Sequence, residues 1–254
     1  MKTVILLLAG LLLFSSAARA DTVAQSSVPC AGTDRACLLR TLDATTASID
    51  QSDWRDQTYR ELAKLLTHNG QPDQAIALIA KIKDPDTKAM TIRGIGMAAA
   101  SMHLAPATYT GLFKKLRTEA DGIQHPPSHA IALTYIAMSQ AFAGDNNGAM
   151  KTAAGMQNAE LRNKAFNEAA KIQADRGDFN AAFASIAAID DPAFRDKAHY
   201  TIAKIFADGG KYDMAVASSA KIVNTYQRSQ ALLYLLAKQI TPEKNPVSDE
   251  EAMQ

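Results

Sequence analysis

Two histidines four residues apart, His125 and His129, have the spacing at which one helical face can hold a metal ion. Pro126 and Pro127 stand between them. Proline lacks an amide hydrogen and clashes with the preceding turn, so a shared helical face is not expected and no metal site is assigned. Cys30 and Cys37 invite comparison with a redox pair, but six residues separate them where such pairs usually have two. In an oxidising compartment a close, even pair is expected to form a disulfide, here clamping the N-terminal coil onto the first helix. Asp190-Asp191 has the look of an acid-base pair. Yet Asp191-Pro192 and Asp84-Pro85 are also helix-start signals, with Asn158 and Asn224 in the same column, so capping is expected. A basic column, Arg55, Lys88, His129, Arg162, Arg195 and Arg228, offers sites for anions. Each member falls in the first turn of a helix, where the macrodipole opposes positive charge. The Asp or Asn just before it is the expected compensating partner, as in Asp84 with Lys88 and Asp191 with Arg195. That arrangement makes a structural ladder pinning one unit on the next. Trp54 shares a column with Leu161 and Phe194 and is expected to pack. No Ser or Cys nucleophile stands beside an identifiable base, and no glycine-rich phosphate loop follows a strand. The expectation is a non-catalytic protein with no cofactor.

The spacing of these columns identifies the elements that carry them. Ile49, Ile82, Ile123, Met156, Ile189 and Ile222 recur at steps of 33, 41, 33, 33 and 33 residues, each closing a helical segment. Periods of this size mark units that bury their apolar faces only by stacking. In the clearest unit a helix starts at Asp191-Pro192, runs through Arg195, Ala198, Ile202 and Ala203, and ends at Gly210, a residue suited to the left-handed conformation. A second helix runs from about Tyr212 through Ala215 to Ile222. An apolar-small pair recurs at Leu62-Ala63, Ile95-Gly96, Ile136-Ala137, Ala169-Ala170 and Ile202-Ala203. Seven residues on stand Gly70, His103, Gly144, Gly177 and Gly210, and five further on Ala75, Thr108, Ala149, Ala182 and Ala215. No segment alternates as a strand does. The 41-residue step marks eight extra residues near Leu112 to Pro127. Pro106 starts a helix toward Ala120 there, about 12 Å longer than its counterparts, forming a surface bulge or a projecting element.

These columns resemble the tetratricopeptide repeat, most closely at Ile202-Ala203, Gly210, Tyr212 and Ala215, and also at Ala169-Ala170, Gly177, Phe179 and Ala182. The likeness covers about Arg55 to Ile240. The period is one residue shorter than the family's 34, and the helix-end proline is absent. The resemblance implies an all-α, right-handed superhelical array of about five helix-turn-helix repeats. A half repeat at about Ala36 to Ile49 and a last helix at about Gln227 to Gln239 would cap it. It also implies that the first helices line a concave groove that binds another protein or peptide. Helical spacing from the small column then points Arg60, Lys64, Arg93, Met97, Tyr135, Met138, Lys164, Asn167, Lys171, Lys197, Tyr200 and Lys204 along that groove. Its middle is apolar, with Met90, Met97, Ile131, Tyr135 and Met138, and its cations outnumber its acids. An acidic partner segment with an apolar anchor fits that pattern.

The ends and the charge set the remaining expectations. Residues 1–20 read as a cleaved secretory signal: Lys2, an apolar run from Val4 to Phe14 too short to span a bilayer, then Ala18-Arg19-Ala20. Cleavage after Ala20 gives a periplasmic or secreted protein. Residues 21–35 would be coil, 36–240 the solenoid, and 241–254 a disordered polar tail. The formal net charge of +1 falls to −1 once Lys2 and Arg19 are removed. Such a chain does not suit nucleic acid, and no later apolar run is long enough for a membrane span. The expected function is a scaffold or chaperone-like adaptor of the cell envelope. The alternatives are an enzyme whose site is assembled from distant repeats, and a purely architectural subunit of an envelope complex.

Overall fold

The computed structural model describes residues 30–241. The expected signal segment, the expected coil before Cys30 and the expected polar tail beyond Thr241 lie outside the described residues. Within them the protein is an all-α array of helices packed in sequence order.

Helix α1 (Arg35–Ala47) begins at Asp34, whose carboxylate accepts from the amide of Cys37 at 2.9 Å. Cys37 is joined to Cys30 in a disulfide, so the short coil is fastened to α1. Five helix pairs follow. The first helices are long: α2 (Ser52–His68), α4 (Pro85–Ala100), α6 (Pro126–Phe142), α8 (Ala159–Asp175) and α10 (Pro192–Asp208). Four of the second helices are short: α3 (Pro72–Ala77, continued as a 3-10 turn over Leu78–Lys81), α7 (Asn146–Ala154), α9 (Phe179–Ala187) and α11 (Tyr212–Ser219). The fifth, α5 (Pro106–Asp121), is twice their length, and α12 (Thr225–Ile240) ends the described chain. Each first helix packs on the first helix of the next unit, and each second helix on its own first helix.

The caps stand where the Asp/Asn column places them. Asp84, Asn158, Asp191 and Asn224 accept from the amides of Thr87, Leu161, Phe194 and Gln227 at 2.7–3.0 Å. Each satisfies an amide that the helix itself leaves open. The turn column is left-handed throughout: φ is +78° at Gly70, +81° at Gly144, +82° at Gly177 and +68° at Gly210. His103 adopts the same geometry at φ +51°. The turn is therefore imposed by the packing of the two helices, and glycine only lowers its cost.

The small column lets neighbouring units approach. Ala63, Ala137 and Ala170 are fully buried, and a Cβ placed on Gly96 of α4 would come within 2.6 Å of Ser139 Oγ on α6. The main core is a ribbon of aliphatic and aromatic side chains along the stack, with Ile82, Ile123, Met156 and Ile189 buried in it at the ends of their units; Ile222 is buried in a smaller cluster with Ala203 and Ala231.

Two expectations need correction. The eight extra residues are neither a bulge nor a projection. They extend α5, and the added turns bury Leu116 and Ala120. Trp54 does not pack: it is 64% exposed, while Leu161 and Phe194 in its column are half-buried against the core. Leu161 has the first helix of a preceding unit behind it. Before α2 there is only the single helix α1.

Candidate functional site

Three arginines of the basic column take a structural role, but with backbone carbonyls and not with the capping Asp or Asn beside them; Arg162 also pairs with Asp190 of the next linker. Arg55, Arg162 and Arg228 each reach back six residues and donate to the carbonyl of Ile49, Met156 and Ile222 at 3.0–3.1 Å. The Asp and Asn side chains are already engaged in capping. The carbonyls at the end of the preceding segment are unpaired by their own helix and face the guanidinium.

A second ladder went unforeseen. Asp56, Asn163 and Asp196 each follow a basic-column residue directly, and all three are buried. Asp56 accepts from the amides of Lys83 and Asp84, both at 2.8 Å. Asp196 accepts from Val223 at 2.9 Å and Asn224 at 2.8 Å. Asn163 accepts from Asp190 at 3.1 Å. Each linker is thus held by an acceptor from the unit before it and, at Ile222, by the arginine of the helix after it. The visible signal was the dipeptide Arg-Asp or Arg-Asn at 55, 162 and 195. Its bonding partners lie 27 and 28 residues further on, a tertiary distance that no local pattern displays.

These ladders fix the first helices in register, and with them the face turned away from the second helices. All twelve groove residues expected from the sequence are at least partly accessible there. They do not form a uniform cationic strip. Glu61 takes Arg60 at 3.0 Å and Lys64 at 2.7 Å. The hydrogen bond from Lys64, aided by Arg60, holds the Glu61 carboxyl below its ordinary range. Lys64 also lies across Gly94, where a Cβ would stand 2.7 Å from its Cγ. Lys171 pairs with Glu168 at 2.8 Å, and Asn167 donates to the same carboxylate at 3.3 Å. Arg93 sits 5.2 Å from the ring centre of Tyr135, and Lys204 lies over Tyr200 and Tyr234 at 5.7 and 4.8 Å. Lys164 and Lys197, one repeat apart, are exposed and form no ion pair among the described residues.

Between α6 and α8 this face opens into a depression of about 290 Å³, lined by Ile131, Thr134, Tyr135, Met138, Leu161, Lys164 and Glu168. It unites three of the expected groove residues, Tyr135, Met138 and Lys164. Leu161 was not expected there, although its position three residues before Lys164 puts both on one helical face. Met97, Lys197 and Tyr200 stand on other units and do not line it.

Several polar groups elsewhere on the surface are occupied by their neighbours. A larger, open shelf of about 870 Å³ follows the turns at Gly144-Asp145 and Gly177-Asp178. Its Asp178 is bonded by Asn146 and Arg176, each at 3.2 Å, and Arg176 donates to the Phe142 carbonyl at 2.8 Å. His125 bonds Ser128 at 2.6 Å while His129 turns to Asp121 at 3.2 Å, so the two rings serve different neighbours. Buried His199 has its pKa lowered to about 4, chiefly by desolvation and then by Lys221. Its ring lies against Phe183 and Ser218 and lines none of the depressions described.

No protein-family model matches the chain, and no curated protein matches it in sequence. Among solved structures it is similar to the crystal structure of Ton1535 from Thermococcus onnurineus NA1, at 20% identity over 73% of this chain and 60% of that one, with a TM-score of 0.35. This chain therefore spans less than two thirds of that protein, and a likeness of this degree carries no inference about function.

Proposed function

We propose that the protein is a non-catalytic binding scaffold of the cell envelope that grips an extended segment of a partner protein along the exposed face of its first helices. One observation carries this: the depression between α6 and α8 joins apolar walls, Ile131, Tyr135, Met138 and Leu161, to an unpaired cation at Lys164. Its 290 Å³ lies at the lower edge of small-molecule sites, a size suited to one or two side chains. A leucine, methionine or phenylalanine would enter, and methionine at position 138 adapts to their different shapes. A neighbouring carboxylate would meet Lys164, and Lys197 one repeat further along.

Five of the seven groove cations are already engaged by Glu61, Glu168 or tyrosine rings, so one or two acids beside the anchor suffice to meet Lys164 and Lys197. The disulfide and the sequence of residues 1–20 support an exported location, and the column pattern supports a tetratricopeptide-type array. No helix among the described residues is long and apolar enough to cross a membrane.

A pull-down from envelope extract supplies the partner, and its affinity for two double variants then tests the site. Lys164→Glu with Lys197→Glu should weaken binding at least tenfold and reduce its salt dependence. Lys171→Glu with Lys204→Glu, which alters cations already engaged by Glu168 and the tyrosine rings, should change it far less. A partner that binds the first variant with unchanged affinity and salt dependence would show that this face is not used.

A further inference from the structure

Helix α12 is the first helix of a unit for which no second helix follows among the described residues. Its outer face keeps the apolar columns of the array. Leu232 stands where the preceding first helices carry His199, Phe166 and Leu133, and Leu236 where they carry Ala203, Ala170 and Ala137. Those six residues are buried by their own second helix and the next unit. On α12 Leu232 is 43% exposed, Leu233 58%, Leu236 52%, Ile240 69% and Tyr226 63%. The helix was expected to cap the stack, and a cap turns a polar face outward. This one does the reverse.

We infer that this face pairs with the same face of a second copy of the chain, with the two α12 helices antiparallel about a two-fold axis near Leu233. Three observations select this occupant. First, Tyr226, Leu233 and Ile240 recur every seven residues with Leu236 between them, the seam on which one helix packs lengthwise against another. Second, α12 contains no acidic residue, and its two cations are engaged elsewhere: Lys238 is bonded to Asp208 at 2.9 Å, and Arg228 to the carbonyls of Ile222 and Ala220. Two copies therefore meet with no charge on the seam and no self-repulsion, whereas an acidic or basic partner finds nothing to pair with. Third, the five side chains present roughly 500 Å² per copy, if each offers on the order of 150–200 Å² when free. Doubled, that reaches the roughly 1,000 Å² at which specific interfaces begin. A two-fold arrangement is self-complementary and closes, so it gives a dimer and not a fibre.

Sedimentation equilibrium of the intact chain over a range of concentrations tests the pairing. The expected mass is twice that of the chain. Leu233→Glu, which places two carboxylates at the axis, and Leu236→Glu, which places one in the seam on either side of it, should each return it to one chain mass with unchanged helical circular dichroism, because both side chains are more than half exposed. Cysteine cross-linking tests the orientation. Tyr226→Cys mixed with Ile240→Cys should link under mild oxidation, and neither variant should link to itself. A wild-type chain that stays single into the high micromolar range overturns the pairing. So does a dimer that survives both glutamates, or self-linking of the Tyr226→Cys variant. If the chain becomes dimeric only when shortened to Thr241, the face belongs to residues 242–254 and the pairing with a second copy is equally refuted.

Discussion

Removing the Asp196 carboxylate should loosen one end of the array and leave the rest intact. The carboxylate is buried and accepts two amides, from Val223 at 2.9 Å and Asn224 at 2.8 Å. A net hydrogen bond to a charged acceptor is worth about 1.5–3 kcal/mol. Two of them set an upper bound near 6 kcal/mol. Val223 and Asn224 are themselves exposed, so water can take over part of what Asp196→Ala abandons, and a loss of about 2–3 kcal/mol is expected. Stability in a stacked array is close to a sum of unit and interface contributions. This loss therefore falls on the contact between the fifth unit and α12. Native-state hydrogen exchange reads it directly: amides of α12 should exchange about 30- to 150-fold faster, by the tenfold-per-1.4 kcal/mol relation. Amides of α4 and α6 should not change. Asp196→Asn, which copies the residue at 163 and its single bond, should lose about half as much. Asp196 also faces His199, whose pKa of about 4 keeps it neutral at pH 7 with or without the carboxylate, so the measurement is unconfounded there. Unchanged protection of α12 in the alanine variant would refute the clamp. An equal loss across every helix would show that the stack unfolds as one body and that the clamp is not local.

Two further outcomes follow from other columns. Gly210→Ala should cost about 1–2 kcal/mol in chemical denaturation, because φ is +68° while a Cβ there meets nothing within 4 Å. The cost is one of conformation alone, and His103→Gly in the same column should act in the opposite direction. His199 should make the protein acid-sensitive well above the carboxylate range. Its folded pKa of about 4 lies below the ordinary value of 6.5, so the unfolded chain takes up the proton first. The stabilisation is complete above pH 6.5 and declines as pH falls toward 4, reaching a loss of about 2 kcal/mol by pH 5. His199→Phe should flatten stability between pH 6.5 and 5, and an identical slope in that variant would remove His199 as the cause.

The sequence displayed whatever was local. Caps at Asp84, Asn158, Asp191 and Asn224, and the left-handed turn at Gly210, were legible because each rests on a few adjacent residues, whereas the same conformation at His103 was not. The paired Cys30 and Cys37 and the length of α5 were legible for the same reason. The failures all concern what stands across from a residue. Trp54 shares its column with half-buried Leu161 and Phe194, but a column records equivalence within a unit and not whether another unit precedes it. The nearest Asp or Asn in sequence is the expected partner of each basic residue, but Asn158 and Asn224 are committed to capping, and Arg162 and Arg228 take the carbonyl six residues back instead. The groove shows the same limit from the other side. Spacing puts seven cations on one face, yet five of them are already engaged: Arg60, Lys64 and Lys171 by Glu61 and Glu168 at ion-pair distance, and Arg93 and Lys204 over Tyr135, Tyr200 and Tyr234.

Those engagements bear on what the proposed groove would select. Exposed ion pairs and cation-ring contacts are each worth about 1 kcal/mol or less, so an incoming acid can compete for these cations but gains little by displacing their present partners. Lys164 and Lys197 need no displacement, and Lys164 alone stands at the rim of an apolar depression. Under the proposed function, discrimination would therefore depend on one side chain entering between Ile131, Tyr135, Met138 and Leu161, with charge setting its orientation. A ligand lacking the apolar anchor would bind weakly and lose what affinity it has on adding salt, within the roughly 8 Å screening length of physiological buffer. One carrying the anchor would keep most of its affinity under the same conditions. Affinity for anchored and unanchored forms of one captured segment, compared across salt concentration, distinguishes a shape-selecting groove from a merely cationic surface.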